Sequence, residues 1–355
     1  MRASTVVLSF LVAVCAHAAV CVGQAPSSAD SDTFTVPKLF RSTSPVAVTI
    51  TANFKQVRND RGENAPYHAA TITYTDSGGK PVIVPLRVKT HGIWRLKHCE
   101  FPPLRLSFSD KTTKHTLFHG LGRPKFVNTC RDQDRYEQLV LQEYQLYRIY
   151  QLLTPQSHHA RLLRVTYADS ATGKVDATRY GFLFEDPDQL ATRLGGQLVR
   201  IKGAGPEDID HRAGALVYAF QYLIGNTDFS FNGLHNGELV QRADGSPVIP
   251  IAYDFDFSGA VNAPYATVDP KLSIRSVRER LFRGYCAFED EYEGAFSAVR
   301  ARKNAIMALY TDEVGRLLDQ RTAKDALTYF AEFFEDTGTY DSVKRNVLGS
   351  CVKSR

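Results

Sequence analysis

The chain has 355 residues, 43% hydrophobic and 23% charged, which is ordinary for a globular protein and enough for one large or two medium domains with a real core. A net charge of +5, without long basic runs, gives nucleic acid no support as a partner.

Met1-Arg2 and the apolar stretch 4–19 read as a secretory signal occupying 1–25, with Ala16-His17-Ala18 and Gly23-Gln24-Ala25 as candidate cleavage sites. The apolar run is short for a membrane anchor, and no later segment is long and apolar enough to span a bilayer. The expectation is an exported protein, periplasmic or extracellular, with no integral membrane segment. Residues 26–45, with Ser, Asp, Thr and Pro, read as a disordered mature N-terminus. Loss of the signal leaves Cys99, Cys130, Cys286 and Cys351, an even number that suggests disulfides in an exported chain. Four cysteines allow three pairings; Cys99–Cys130 and Cys286–Cys351 are preferred because each closes a loop within one half of the chain. No CxxC is present, which argues against zinc or thioredoxin-like chemistry.

Residues 46–54 alternate and read as a strand, and 69–75 and 82–89 flank the turn Asp76-Ser77-Gly78-Gly79-Lys80 as a hairpin. Short strands follow at 104–108 and 125–129. Lys89, Arg95, Lys97 and Arg105 form a cation-dense stretch that suits phosphates or, equally, a solvated basic face; Trp94 reads as core. Leu139, Val140, Tyr144, Tyr147 and Ile149 mark one helix over 132–153. Glu143, in its middle, and Lys125, on the preceding strand, are candidates for a pair placing an ammonium over phosphates; the alternative is two unrelated surface charges. Strands at 162–168 and 178–185 flank Ala171-Thr172-Gly173-Lys174 as another hairpin, ending in an apolar-then-acidic run that suits a hinge or a plain strand end. Pro187 opens a short helix over 188–193. Residues 46–186 thus read as a β-rich portion and 187–355 as a mainly helical one, with helices at 207–224, 290–310, 312–321, 323–334 and 340–347.

The informative stretch is 225–259. A helix stops at Gly225 and a polar loop follows with Asn226, Thr227, Asp228, Asn232, His235 and Asn236. Two short strands, 237–242 and 247–253, then form a hairpin ending in Tyr253-Asp254-Phe255-Asp256-Phe257. In a continued strand Asp254 and Asp256 share one face, about 6.6 Å apart between Cα atoms. Such carboxylates need a partner, and a hard divalent cation held by carboxylate and amide oxygens is the natural one. Asp228 before the hairpin, Asn236 near it, and Asp254 with Asp256 after it make a phosphoryl-transfer set: Asp228 takes the acceptor proton, and Asn236 and the later aspartates hold the metal. The competing reading is a loop of Asx-turns with structural carboxylates.

Leu223-Ile224-Gly225-Asn226-Thr227-Asp228, His235-Asn236 and Tyr253-Asp254-Phe255-Asp256 resemble the spore-coat-protein-H (CotH) kinase-like family, in particular an exported bacterial branch with a segment like Cys99-Glu100-Phe101-Pro102-Pro103-Leu104. The resemblance implies an α+β, two-lobed atypical protein-kinase-like fold, with an antiparallel β-rich N-lobe over 46–186 and a mainly helical C-lobe over 187–355. It implies a secreted kinase using ATP with Mg²⁺ or Mn²⁺ to phosphorylate a hydroxyl of an exported or envelope protein. Asp228 becomes the catalytic aspartate, Asn236, Asp254 and Asp256 the metal ligands, Lys125 and Glu143 the phosphate lysine and its helix partner, and Lys89 the rival lysine. The family's loop carries an Asp-Arg-His run before its Asn; here Phe229-Ser230 follows Asp228 and Asn236 comes eight residues later. A non-catalytic kinase-fold module of the cell surface or coat is the alternative, and a glycosyltransferase using Asp254-Phe255-Asp256 as a DxD is the third. A monomer is expected.

Overall fold

The computed structural model describes residues 1, 35–62, 64–92 and 94–353. The expected signal, apart from Met1, and residues 26–34 of the expected disordered segment lie outside them. Val36–Arg355 packs as one unit. Residues Lys38–Arg41, within the stretch expected to be disordered, form one helical turn that buries Leu39 completely.

The alternating segments of the first half give seven strands: β1 (Val46–Ala52), β2 (His68–Thr75), β3 (Pro81–Thr90), β4 (Leu104–Ser107), β5 (Lys125–Val127), β6 (Ala160–Asp169) and β7 (Val175–Phe184). Aspartates set the two tight turns. Asp76 Oδ1 accepts from the N–H groups of Gly78 and Lys80, both at 2.9 Å, and Asp169 Oδ1 accepts from those of Ala171 and Thr172 at 3.0 and 2.9 Å. β1 stops where Asn53 caps α1 (Phe54–Asn59), its side chain accepting from the Gln56 N–H at 3.0 Å. Two short helices, α2 (Trp94–His98) and α3 (Asp110–Thr113), interrupt the strands.

The strands follow the order β1-β2-β3-β4-β5-β7-β6 and close into a barrel. Neighbours are antiparallel except β1 and β6, which run parallel from Val46↔Leu163 to Ala52↔Asp169. The expected α+β, two-lobed kinase-like fold with an antiparallel β-rich N-lobe is therefore incorrect: the strands close into a barrel through a parallel pair. The helix α4 (Asp134–Leu153) carries the chain across the outside of the barrel and returns it beside β1. Alternation in a sequence fixes which face a side chain takes, not which distant strand becomes its neighbour.

Two cores result. Ile50, Val84, Leu106, Phe126 and Leu183 fill the barrel. β7 also sends Phe182 and Phe184 outward, into a second core shared with Tyr147 on α4 and with the remaining elements. These are α5 (Pro187–Arg193), β8 (Gly196–Leu198), α6 (His211–Ile224), β9 (Gly237–Arg242), β10 (Ile249–Ala252), α7 (Glu289–Ala301), α8 (Lys303–Ala308), α9 (Gln320–Asp336) and α10 (Tyr340–Asn346). β10, β9 and β8 form a small antiparallel sheet. Disulfides join Cys99 to Cys130 and Cys286 to Cys351. Among the described residues no helix is long and apolar enough to cross a membrane.

Candidate functional site

α6 ends at Gly225, whose φ of +63° closes the helix and starts the polar loop. The Asn226 Oδ1 accepts from the Asp228 N–H at 3.0 Å, and the Asn226 amide donates to Gln221 Oε1 at 3.1 Å. An Asx-turn thus fixes the backbone of Asp228. Its carboxylate is held from two sides. His235 Nε2 lies 2.9 Å from Oδ1, and Asn236 Nδ2 donates to Oδ2 at 3.1 Å and to the Asp228 carbonyl at 2.8 Å. The hydrogen bond to Asp228 raises the His235 pKa. The Asp228 side chain remains 37% exposed.

The carboxylates after the hairpin are arranged differently from expectation. β10 ends at Ala252, and Asp254 takes a left-handed φ of +63° that turns it out of the strand line. Asp254 and Asp256 therefore do not alternate along one strand face. The Asp254 N–H donates to Tyr147 Oη at 3.0 Å, fixing the turn against α4. Phe255 is fully buried beside Tyr147, Tyr150 and Phe220, so the turn is anchored by its apolar residue. Asp256 accepts from Tyr265 Oη at 3.0 Å. Burial, and then repulsion from Asp254, push the Asp256 carboxyl up to about 7 against the pull of Arg95. Burial also raises Asp254, opposed by Arg95 and Lys125 and assisted by Asp228.

Glu143 belongs to this carboxylate cluster. Burial, Asp256 and Asp254 raise its pKa well above the ordinary value, and its Oε1 is buried without a hydrogen-bond partner. The expected Lys125–Glu143 pair is thus incorrect. Lys125 Nζ instead lies 3.7 Å from Glu238 Oε1 on β9 and 3.6 Å over the ring of Tyr253. The cation serving the carboxylates is Arg95 on α2. Burial works against its charge, but Tyr265, Asp256, Glu143 and Asp254 outweigh it. Arg95 also donates to the Asn128 carbonyl, beside the Cys99–Cys130 bridge that holds the C-terminal end of α2.

Register places Lys89, Arg105 and Lys125 side by side on one face of β3, β4 and β5. Arg105 and Lys125 line a cavity of about 460 Å³ with Arg123, Asp186, Glu238 and Tyr253. Lys89 lies outside that lining, 5.1 Å over the ring of Tyr67. Desolvation and the charges of Arg105, Lys125 and Arg95 push the half-buried His91 down to about 3. Such a concentration of cations over a neutral imidazole is a field that favours an anion.

The donor set near Asp254 is all oxygen, and its raised carboxyl groups carry the repulsion that a hard cation relieves. Among the described residues no three His, Cys, Asp or Glu side chains form a ready metal-binding group. The nearby donors are carboxylate and amide oxygens, the type a hard cation takes, and they do not by themselves make a complete cage. Sequence reasoning placed Arg95 only in a basic stretch and overlooked Glu238, His91 and Tyr265. The one signal for Glu238 is an acidic residue between the apolar-facing Gly237 and Leu239 of a strand.

No model of a protein family and no curated protein matches the chain. Among solved structures it is similar to a proinflammatory kinase of Helicobacter pylori, CtkA, at 12% identity over 78% of this chain and 92% of that one, with a TM-score of 0.33. A likeness at that level carries no argument about chemistry here.

Proposed function

We propose that the chain transfers the γ-phosphoryl group of a nucleoside triphosphate, ATP in the first instance, to a hydroxyl group of a protein. The observation that carries this is the position of Asp254. It directly follows Tyr253, which lines the cavity and carries Lys125 Nζ 3.6 Å over its ring, and whose N–H donates to the carbonyl of Asn236, the residue that holds Asp228. The chain at Asp254 thus joins the half-exposed Asp228 to the wall of the cavity.

Asp228 accepts the proton of the acceptor hydroxyl as its oxygen attacks the γ-phosphorus. The bond from that phosphorus to the bridging oxygen breaks, and the nucleoside diphosphate leaves. Asn236 and His235 orient Asp228 throughout. Lys125, with Arg105 and Arg123, binds the phosphates in the cavity. Asn236 through its amide oxygen, with Asp254 and Asp256, would hold a divalent cation, which when bound would neutralise charge on those phosphates. The two disulfides support an oxidising compartment and hence an exported or envelope acceptor.

Transfer of label from γ-labelled ATP to an envelope-protein extract tests this. Asp228→Asn should lower transfer by about 10²-fold or more while nucleotide affinity stays within about twofold of wild type. Equal transfer by the two proteins refutes the assignment.

A further inference from the structure

We infer that His158 is a positioning residue that fixes Lys125 through Glu238; its consequence for nucleotide binding rests on the phosphotransferase reading. His158 is fully buried just before β6. Its Nε2 lies 3.0 Å from Glu238 Oε2, while the other oxygen of Glu238 faces Lys125 Nζ at 3.7 Å. The rest of the imidazole sits among aromatic rings, edge-on to Phe184 at 5.1 Å and Tyr253 at 6.2 Å, and its Nδ1 is buried without a partner. Among the described residues the ring's one polar side-chain contact is therefore with Glu238. Its backbone is fixed separately, the His158 carbonyl accepting from Gln151 Nε2 at 2.7 Å.

The need for such a restraint follows from the cavity. Glu238 lines it together with Arg105 and Arg123, while Arg200 is already paired with Asp188 at 2.6 Å. A carboxylate free to change rotamer there would turn to Arg105 or Arg123 and occupy the anion's place. Held by His158, Glu238 keeps one oxygen for Lys125 and leaves those two arginines to the ligand. Lys125 is in turn seated over Tyr253, next to Asp254. The series His158, Glu238, Lys125, Tyr253 thus runs from the buried core to the mouth of the site, in the way outer partners orient the groups that touch a ligand.

The test uses the intact protein with three substitutions. His158→Phe keeps a ring and removes the donor; His158→Gln returns an N–H near the same place; Lys125→Met removes the endpoint. MgATP affinity, measured by calorimetry, should fall about tenfold in His158→Phe and recover in His158→Gln. In the Lys125→Met background His158→Phe should add nothing, because the effect passes through Lys125. A second arm needs no nucleotide: acylation of Lys125 by an amine-reactive ester, quantified by peptide mass spectrometry with surface lysines as internal controls. The pair with Glu238 shields the amine, so His158→Phe and Glu238→Gln should each speed its labelling severalfold at unchanged melting temperature. Wild-type labelling rates in both variants overturn the inference, as does a His158→Phe effect on affinity that persists without Lys125. Wild-type protein that binds no nucleotide yet shows the labelling differences overturns the functional reading alone. Should His158→Phe fail to fold, His158→Gln against Glu238→Gln in the labelling arm decides: the inference requires slow labelling in the first and fast in the second.

Discussion

Glu185, at the end of β7, offers a direct check on how the cavity wall is held. Its side chain is fully buried. Arg193 on α5 grips both of its oxygens, Nε to Oε1 at 2.9 Å and Nη2 to Oε2 at 2.8 Å, and the His159 N–H donates to Oε2 at 3.2 Å. Burial is the largest single influence and favours the protonated form, yet His159 and Arg193 together outweigh it and hold the carboxyl near 2, against an ordinary 4.5. That difference corresponds to about 3 kcal/mol of folding stability, with one pKa unit worth about 1.4 kcal/mol. Removing one partner of a buried pair costs a similar amount, about 3–5 kcal/mol. Because the folded value is the lower one, the contribution is complete above about pH 4.5 and is lost as pH falls through about 2. Urea denaturation of Glu185→Gln should show a deficit of about 3 kcal/mol at pH 7 that narrows progressively at pH 4 and pH 3. The next residue, Asp186, caps α5 and lines the cavity, so the same substitution should also weaken nucleotide binding. Equal stability of the two proteins at pH 7, or a deficit that persists unchanged to pH 3, would show that the Arg193–Glu185 pair does not hold this wall.

Three further substitutions probe the C-terminal bridge and the choice of phosphate lysine. Cys351→Ser opens a loop of 65 residues, which by chain entropy costs about 4 kcal/mol; an unchanged denaturation midpoint would show that the bridge to Cys286 contributes nothing. Lys125→Met should weaken MgATP binding at least about tenfold and Lys89→Met by less than about twofold, measured by calorimetry; the reverse order would restore Lys89 as the phosphate lysine.

Local chemistry made much of the chain legible. The helix expected over 132–153 is α4 at Asp134–Leu153, and the turn at Asp76 was visible as Asp and Gly residues between alternating strands; the second turn was visible in Ala171-Thr172-Gly173-Lys174, without the part played by Asp169. The loop from Gly225 and the hairpin after it also carry their signals in adjacent residues. Barrel closure was not legible, because the β1–β6 register joins residues 46–52 to 163–169 and nothing local encodes it. The partner of Lys125 was misread for a related reason: Glu143 and Glu238 are both acidic residues on plausible elements, and only the packing of β9 against the barrel selects the second. Asp254 was misread because alternation was extended past Ala252, whereas the burial of Phe255 and the bond to Tyr147 turn the chain out of the strand. α2, only five residues long, has too little periodicity to announce itself, and with it the place of Arg95 was missed.

Thermal melting of the intact protein and of Asp254→Ala, with ATP, with Mg²⁺ or Mn²⁺, and with both, shows whether nucleotide and metal bind together at Asp254. A ligand at 100 times its Kd adds about 2.7 kcal/mol of apparent stability, a rise of several degrees. The account predicts a rise in the wild type only when nucleotide and metal are present together, and its loss in Asp254→Ala. No rise with either metal, or an equal rise in Asp254→Ala, would contradict it.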